Sequence, residues 1–331
     1  MNASIIIAVY QREEELKDLL TSLTQQSNRN FEVVIVDDGS TVDLKPVVDL
    51  FSDKLAIFYY KKLNSGPGLS RNYGMQKASG DYFIFLDSDT IVPPHYIAEV
   101  LKELENNYVD FFGGSDASHQ DFSALQKAIN FSMTSFLTTG GIRGGKQKVD
   151  KFQPRSFNMG MSREAFEATG GFSDLRVGED PDLTLTLWEK GFKSRWFPKA
   201  YVYHKRRATL KQFGRQVKAF GIARPILNQR HPAYNSITFW FPTIFILGLA
   251  VAIVLSFFGL WQFVALFGVY FAFIFVVAAI QNKSLKVGIL SCITTFIQFE
   301  MYGMGFIRSQ IMLNVFNQDP KEAFPNHFYK S

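Results

Sequence analysis

Cysteine is almost absent from this chain. One long stretch has no acidic residue, and another has no charged residue at all. Cys292 stands alone among 331 residues, so neither an intramolecular disulfide nor a cysteine metal cluster can form. No acidic residue lies between Lys193 and Arg230, where there are eleven Lys or Arg. No charged residue lies between Pro232 and Asn282. We therefore expect the chain to divide near residue 231 into a polar part and a membrane part.

A cleavable signal peptide is also not expected. The apolar run Ser4–Val9 is too short for the apolar core of such a peptide, and no basic segment precedes it.

The basic stretch before residue 231 fits no recognisable nucleic-acid module, so we expect no nucleic-acid partner. Anionic lipids attract basic segments next to a membrane, and this interpretation is favoured over a merely solvated basic face.

Two apolar segments, Ile237–Phe258 and Leu260–Ile280, are each long enough to cross a bilayer. Val287–Ile307 is a third candidate, although Glu300 interrupts it. We expect a membrane region of two or three helices within residues 236–307, followed by a tail over residues 308–331. The residues Thr209–Arg230 are predicted to form an interfacial amphipathic helix with its apolar face toward lipid.

The orientation of these segments follows from their flanking charges. Lys283 and Lys286 lie in the loop before the third segment, and the basic stretch lies before the first. Excess Lys and Arg mark the cytoplasmic side of a membrane. We therefore expect a multi-pass protein of a bacterial-type inner membrane with its polar part in the cytoplasm.

The polar part alternates strand and helix signals, which predicts a mainly parallel α/β sheet. Buried strands are expected where the sequence is apolar and β-branched, and helices where it has helical periodicity. The residues Gly140–Lys151 are expected to be mobile, because they are rich in Gly and Lys. The predicted strands are Ser4–Val9, Phe31–Val36, Leu55–Tyr60, Tyr82–Leu86 and Phe157–Met161, and the predicted helices are Arg12–Gln25, Leu69–Ala78, Arg163–Ala168 and Asp182–Lys190.

Two carboxylates follow the predicted strand Tyr82–Leu86. Because side chains alternate along a strand, Asp87 and Asp89 are expected to point the same way. Like charges repel, so a cation is expected between them, and a divalent metal bound to a diphosphate would suit carboxylate ligands. The alternative is that Asp89 or Thr90 caps a following helix.

At this point the residues resemble family 2 glycosyltransferases of the GT-A fold. The resemblance covers about residues 1–230 and rests on five segments in the family's order. It implies a Rossmann-like mixed sheet flanked by helices, and an inverting hexosyltransferase that uses a nucleotide-diphospho-sugar. The segments are Ser4–Tyr10, Val33–Ser40, Gly66–Asn72, Asp87–Asp89 and Gly178–Leu183.

The resemblance also implies roles for individual residues. Mn²⁺ or Mg²⁺ would be bound by Asp89, Asp87 and His204, although a lone His is more often structural. Asp180 is the expected catalytic base, with Glu179 as the second choice, and the alternative is that both cap a helix. A UDP-sugar is the expected donor. The residues expected to bind it are Ala8, Tyr10, Asp37, Asp38, Gly66, Arg71, Asp87, Ser88 and Asn158.

One departure from the family pattern concerns processive polysaccharide synthases, which carry Gln-x-x-Arg-Trp. Here Gln212–Gln216 matches the first and fourth positions but ends in Gln, which argues against processive synthesis. We expect a hydroxyl of a lipid-linked or cell-surface glycan as the acceptor, in polysaccharide, cell-wall or glycolipid biosynthesis. Transfer to a polyprenyl phosphate is one alternative. A non-catalytic membrane scaffold that binds nucleotide sugars is another.

Overall fold

The computed structural model describes residues 1–117, 122–139, 152–204 and 209–329. The chain forms two compact units. Unit 1 comprises residues 1–119, 148–205 and 328–331, and unit 2 comprises residues 120–147 and 206–327. The segment Gly140–Lys151, which was expected to be mobile, lies outside the described residues. The predicted domain limits of 1–230 and 236–307 stay a prediction.

The elements of both units are numbered here in chain order. The strands are β1 (Ala3–Val9), β2 (Phe31–Asp37), β3 (Ile57–Lys61), β4 (Tyr82–Leu86), β5 (Thr90–Ile91), β6 (Phe111–Ala117), β7 (Asn158–Ser162) and β8 (Ser194–His204). The α-helices are α1 (Glu13–Leu23), α2 (Lys45–Asp49), α3 (Pro67–Lys77), α4 (Tyr96–Asn106), α5 (Ala124–Thr134), α6 (Phe136–Thr139), α7 (Arg163–Thr169), α8 (Glu179–Glu189), α9 (Leu210–Arg230), α10 (Phe241–Ser256), α11 (Gln262–Asn282), α12 (Leu285–Gln310) and α13 (Pro320–Ala323).

Unit 1 is built on a mixed sheet whose strands lie in the order β3-β2-β1-β4-β7-β6-β8-β5. The first four are parallel, as predicted. The strand β7 is antiparallel to both of its neighbours, β4 and β6. Because β1, β2 and β4 are parallel, their carboxyl ends meet at one edge of the sheet, which is where ligands of open α/β folds bind.

Helices cover both faces of this sheet. Alternate residues of β1 enter different cores: Ile5 and Ile7 pack with α1 and α4, whereas Ile6 packs with α3, α7 and α8. This follows from the period of two along a strand. The strand β4 is buried over its whole length, as expected of a central strand with helices on both sides.

The helix predicted over Asp182–Lys190 begins earlier in the structure and includes the two acids expected to supply the catalytic base. The helix α8 begins at Glu179, so Glu179 and Asp180 lie in its first turn. Gly178 precedes them with a φ of 90°. That left-handed backbone favours glycine and lets the chain turn directly into the helix.

Tight packing across the centre of the sheet gives a stability prediction. A Cβ added at Gly160 of β7 would lie 2.4 Å from the Phe112 ring and 2.7 Å from the Phe83 carbonyl oxygen. We expect Gly160→Ala to destabilise the protein by about 1–3 kcal/mol, because overpacking moves backbone. Thermal unfolding of the purified chain in detergent would measure this. Gly268→Ala is the control, since its Cβ would meet no atom within 4 Å; equal midpoints for both variants would contradict the prediction.

Unit 2 contains three helices that are long and apolar enough to cross a membrane, among the residues that the structure describes. They span Ile237–Ser256, Gln262–Asn282 and Leu285–Val315. The first begins with a short 3₁₀ turn before α10, and the third includes all of α12. Gly259 has a φ of 83° in the turn predicted between the first two. The third apolar segment therefore forms a helix of spanning length despite Glu300.

The prediction that α9 turns its apolar face to lipid is wrong. The helix forms at the predicted place, but Phe213 and Val217 are buried against Ile129 and Met133 of α5. Glycine brings α9 close to α12, since a Cβ at Gly221 would lie 2.3 Å from the Tyr302 carbonyl oxygen. An amphipathic pattern requires an apolar neighbour, and here that neighbour is protein.

Candidate active site

The loop after β4 carries the two carboxylates singled out from the sequence. Arg71 donates from Nη2 to Asp87 Oδ1 at 2.5 Å, and Arg12 donates from Nη1 to Asp89 Oδ2. Two guanidinium groups thus supply the expected positive charge. Thr90 begins the short strand β5. The alternative that Asp89 or Thr90 caps a helix is therefore wrong.

Arg12 was not predicted, and a strained turn positions it. Gln11 has a φ of 58°, which is uncommon for a residue with a Cβ. Its backbone N–H donates to Ser40 Oγ at 3.0 Å, and its side-chain amide donates to Thr41 at 2.9 Å. The surrounding bonds therefore fix this conformation, as is common at functional sites. The position of Arg12 directly after the β1 segment was the available sequence signal.

Arg71 lies in α3 with only 3% of its surface exposed. Its Nε and Nη1 atoms are buried and have no hydrogen-bond partner. A buried donor without a partner is costly, and more so when it is charged. Since a guanidinium group presents a planar set of donors that suits phosphate and carboxylate groups, these free donors indicate a binding site for an anion.

Asp37 and Asp38 hold the backbone around the end of β2. Asp37 accepts the Ser40 N–H and the Tyr59 hydroxyl, both at 2.8 Å, and so caps the turn that follows β2. Asp38 accepts the N–H groups of Ser65 and Gly66 at 2.8 and 2.7 Å. The second aspartate therefore shapes the turn that leads into α3.

A lysine that was not predicted completes this turn. Lys62 donates to Asp38 Oδ1 at 2.7 Å, so its charge offsets that of the buried carboxylate. Gly66, which precedes α3, has a φ of 92°.

Tyr10 at the end of β1 is half-exposed and can stack on a planar ring, while Ala8 is partly exposed. The predicted contacts of these residues with a nucleobase stay a prediction.

Glu179 and Asp180 have different surroundings although they are neighbours. Burial raises the pKa of Glu179 well above that of an ordinary glutamate; the charge of Asp180 adds to this, while Arg71 opposes it. Asp180 Oδ2 lies 3.4 Å from Nη1 of Arg155. Consecutive helical side chains diverge by about 100°. Glu179 is influenced by the charges of Arg71 and Asp87, whereas Asp180 lies beside Arg155, another residue that was not predicted.

Asn158 does not offer its side chain to a ligand in this conformation. It is completely buried, its amide donates to the carbonyls of Ser115 and Ala200 at 2.9 and 3.0 Å, and its oxygen accepts the Tyr96 hydroxyl at 2.6 Å. These bonds join β6, β7, β8 and α4. The predicted contact with the donor sugar is not supported by this arrangement. Ser88 is also buried.

The donor set for a metal ion contains two carboxylates. The backbone pairing of β5 with β8 places Thr90 opposite His204, next to Asp89 in the chain. Among the side chains that the structure describes, which exclude that of His204, no group of three or more His, Cys, Asp or Glu could hold a metal. Mg²⁺ commonly takes one or two protein carboxylates and completes its shell with phosphates and water. Asp87 and Asp89 fit that kind of site.

Comparison with known structures supports the fold. A Pyrobaculum calidifontis mannosyltransferase in complex with GDP-Man and Mn²⁺ has a TM-score of 0.64 at 16% identity, over 96% of this chain and 88% of that one. Staphylococcus aureus TarS 1–349 with UDP-GlcNAc has a TM-score of 0.52 at 17% identity, over 94% of this chain and 92% of that one. The predicted GT-A fold followed by a helical region is therefore confirmed.

Sequence comparison gives the family. A Rickettsia bellii protein described as an uncharacterized glycosyltransferase is 38% identical over 186 residues, which is 56% of this chain and 26% of that protein. The chain aligns with between 22% and 26% of the length of this and two other Rickettsia relatives. The family described as Glycosyl transferase family 2 matches residues 4–170. The chain thus belongs to glycosyl transferase family 2.

Proposed function

We propose that this protein is a metal-dependent, inverting glycosyltransferase that moves a sugar from a nucleotide-diphospho-sugar to a hydroxyl group. The observation that carries the proposal is Arg71, which is buried with two unpartnered donor atoms beside Asp87. A diphosphate would accept from those donors. Asp87 and Asp89, which pair with Arg71 and Arg12, would also ligate the metal that a diphosphate brings with it.

The donor we propose is a UDP-sugar, bound where β1, β2 and β4 end. The TarS structure contains UDP-GlcNAc and the mannosyltransferase structure contains GDP-Man, so both neighbours of this fold were solved with such donors. Tyr10 would stack on the base, and Asp38 would fix the loop beside the phosphates through Gly66. Asp37 and Ala8 would line the same strand ends.

Asp87 and Asp89 would hold Mn²⁺ or Mg²⁺, with His204 as a further ligand. When bound, the metal would neutralise the diphosphate leaving group as a Lewis acid. Arg12 and Arg71 pair with the same two carboxylates and keep them in place. Arg71 would then also donate to a phosphate oxygen through Nε or Nη1.

The two acids of α8 would divide the remaining chemistry. Asp180 would take the proton of the acceptor hydroxyl, since an inverting transfer to a hydroxyl needs a base; its Oδ2 lies 3.4 Å from Nη1 of Arg155. Glu179, whose pKa is raised by burial, would stay protonated beside the diphosphate and avoid repelling it. The raised pKa of Glu179 and the pairing of Asp180 with Arg155 support this division.

The acceptor we propose is a lipid-linked or cell-surface glycan, used in cell-wall, polysaccharide or glycolipid synthesis. Three helices of spanning length would keep the enzyme at a membrane. Lys283 and Lys286, together with the basic stretch over residues 193–230, would place the catalytic unit in the cytoplasm. Transfer to a polyprenyl phosphate needs no base, and the carboxylate of Asp180 therefore favours a hydroxyl acceptor.

A binding screen tests this function. We expect one nucleotide-diphospho-sugar to raise the unfolding temperature of the full chain with Mn²⁺ and not with EDTA. A ligand at about 100 times its Kd adds about 2.7 kcal/mol of stability. The same screen with UDP and GDP, which lack the sugar, shows whether a nucleoside diphosphate alone is enough to raise the unfolding temperature.

Three other results would contradict parts of the proposal. Equal stabilisation in EDTA would exclude metal-dependent binding. Transfer of labelled sugar to polyprenyl phosphate alone would replace the hydroxyl acceptor. Failure of every nucleotide sugar and diphosphate to bind would favour the non-catalytic scaffold.

A further inference from the structure

The residues that follow α13 return to unit 1 and lie along the segment before α8. Phe328 pairs with Leu175 in an isolated antiparallel β-bridge. The Tyr329 N–H donates to the Asp174 carbonyl at 2.9 Å. Phe328 is 6% exposed. Backbone contacts and the buried side chain therefore hold these residues against Asp174 and Leu175, a short segment that precedes Glu179 in the chain.

The ring of Tyr329 lies directly against the turn that opens α3. A Cβ at Gly66 would be 1.8 Å from Tyr329 Cε1, so only glycine leaves room for the ring there. A Cβ at Gly68 would be 3.6 Å from Cε2, in ordinary contact. The Gly68 N–H donates to the phenolic oxygen at 3.4 Å. The aromatic side chain therefore covers the amino-terminal end of this helix.

Tyr329 also faces the charged groups of the site. Burial raises its pKa to about 12, and the charge of Glu179 adds to this while Arg71 opposes it. The phenol is therefore neutral at physiological pH. Its oxygen accepts from Gly68, and its own proton can be donated to an anion.

We propose that Tyr329 is a positioning residue of the donor site: it holds the Gly66–Gly68 turn and the end of α3 in the geometry that binds a nucleoside diphosphate. This inference rests on the proposed function. None of the recognised sequence segments contains Tyr329, and it is separated by 258 positions from Arg71. The turn connects it to Arg71, which supplies the charged donors.

The test measures the binding of UDP and GDP to the 331-residue chain with Mn²⁺, together with the KM and kcat of sugar transfer. We expect Tyr329→Ala to raise the Kd of the diphosphate and the donor KM about tenfold, with kcat within about twofold. Tyr329→Phe keeps the ring and loses the oxygen, and we expect it to raise the Kd about threefold. Tyr108→Ala, at a half-exposed tyrosine that packs on Tyr82, is the control and should bind as the unaltered protein does.

Several results would overturn the inference while leaving the function intact. An unchanged Kd in Tyr329→Ala would overturn the inference. If Tyr329→Ala does not fold, an unchanged Kd in Tyr329→Phe would overturn the proposed contact of the phenol with the Gly68 N–H, on which the positioning of the turn depends. A lower kcat with an unchanged Kd would indicate a general loss of structure instead. If neither UDP nor GDP binds the unaltered protein, the proposed function itself fails.

Discussion

Replacing Asp89 with asparagine is expected to lower sugar transfer about a thousandfold or more. Metal ions contribute several kcal/mol to stabilising a leaving group, and each 1.4 kcal/mol is a factor of ten in rate. Asparagine keeps an oxygen that can accept from Arg12, so the fold is expected to persist. The measurement is the initial rate at a series of Mn²⁺ concentrations, with donor binding followed in parallel.

Asp81 provides a matched control for this variant. It precedes the same strand, β4, and its exposed carboxylate accepts the Asn2 N–H at 3.3 Å. Asp81→Asn should therefore keep full activity. Turnover in Asp89→Asn with the metal dependence of the unaltered enzyme would show that Asp89 is no metal ligand.

Asp180→Asn is expected to lower kcat by about 10²–10⁴-fold, the usual contribution of a general base. The Kd of the donor should change little, because Asp180 pairs with Arg155 while Glu179 faces Arg71. Rates of transfer at saturating donor and acceptor, together with a donor binding curve, separate the two effects.

Two further variants provide a control and test which of the two acids is the base. Glu189→Gln removes an exposed carboxylate from the last residue of the same helix and should leave kcat unaltered. Glu179→Gln mimics the protonated acid proposed for that position and should keep most of kcat. If Glu179→Gln instead loses the activity that Asp180→Asn keeps, the base is Glu179.

The sequence predicted those features that depend on neighbouring residues. The strand β4 and its two following carboxylates are one contiguous stretch, and a long apolar run identifies a buried strand without knowledge of its partners. The apolar helices were found for the same reason, with limits within a few residues of α10, α11 and α12. The start of α8 was placed too late, because the left-handed turn at Gly178 was not recognised.

What the sequence did not predict depends on pairing between distant segments. Arg12 and Asp89 are separated by 77 positions, and only the parallel pairing of β1 with β4 brings their strand ends together. Asn158 was assigned to the donor site through the family resemblance. Its amide instead satisfies two buried carbonyls. The pattern of α9 likewise identified an apolar face without identifying its neighbour.

The late position of Tyr329 in the chain has a consequence for biosynthesis. A ribosome makes Gly66 and Arg71 before the first apolar helix, but it makes Tyr329 only after all three. On the proposed role of Tyr329, a nascent chain would complete the synthesis of its three apolar helices before its donor site has all of its residues. Full affinity for a nucleotide sugar would then arise only after these helices have been made.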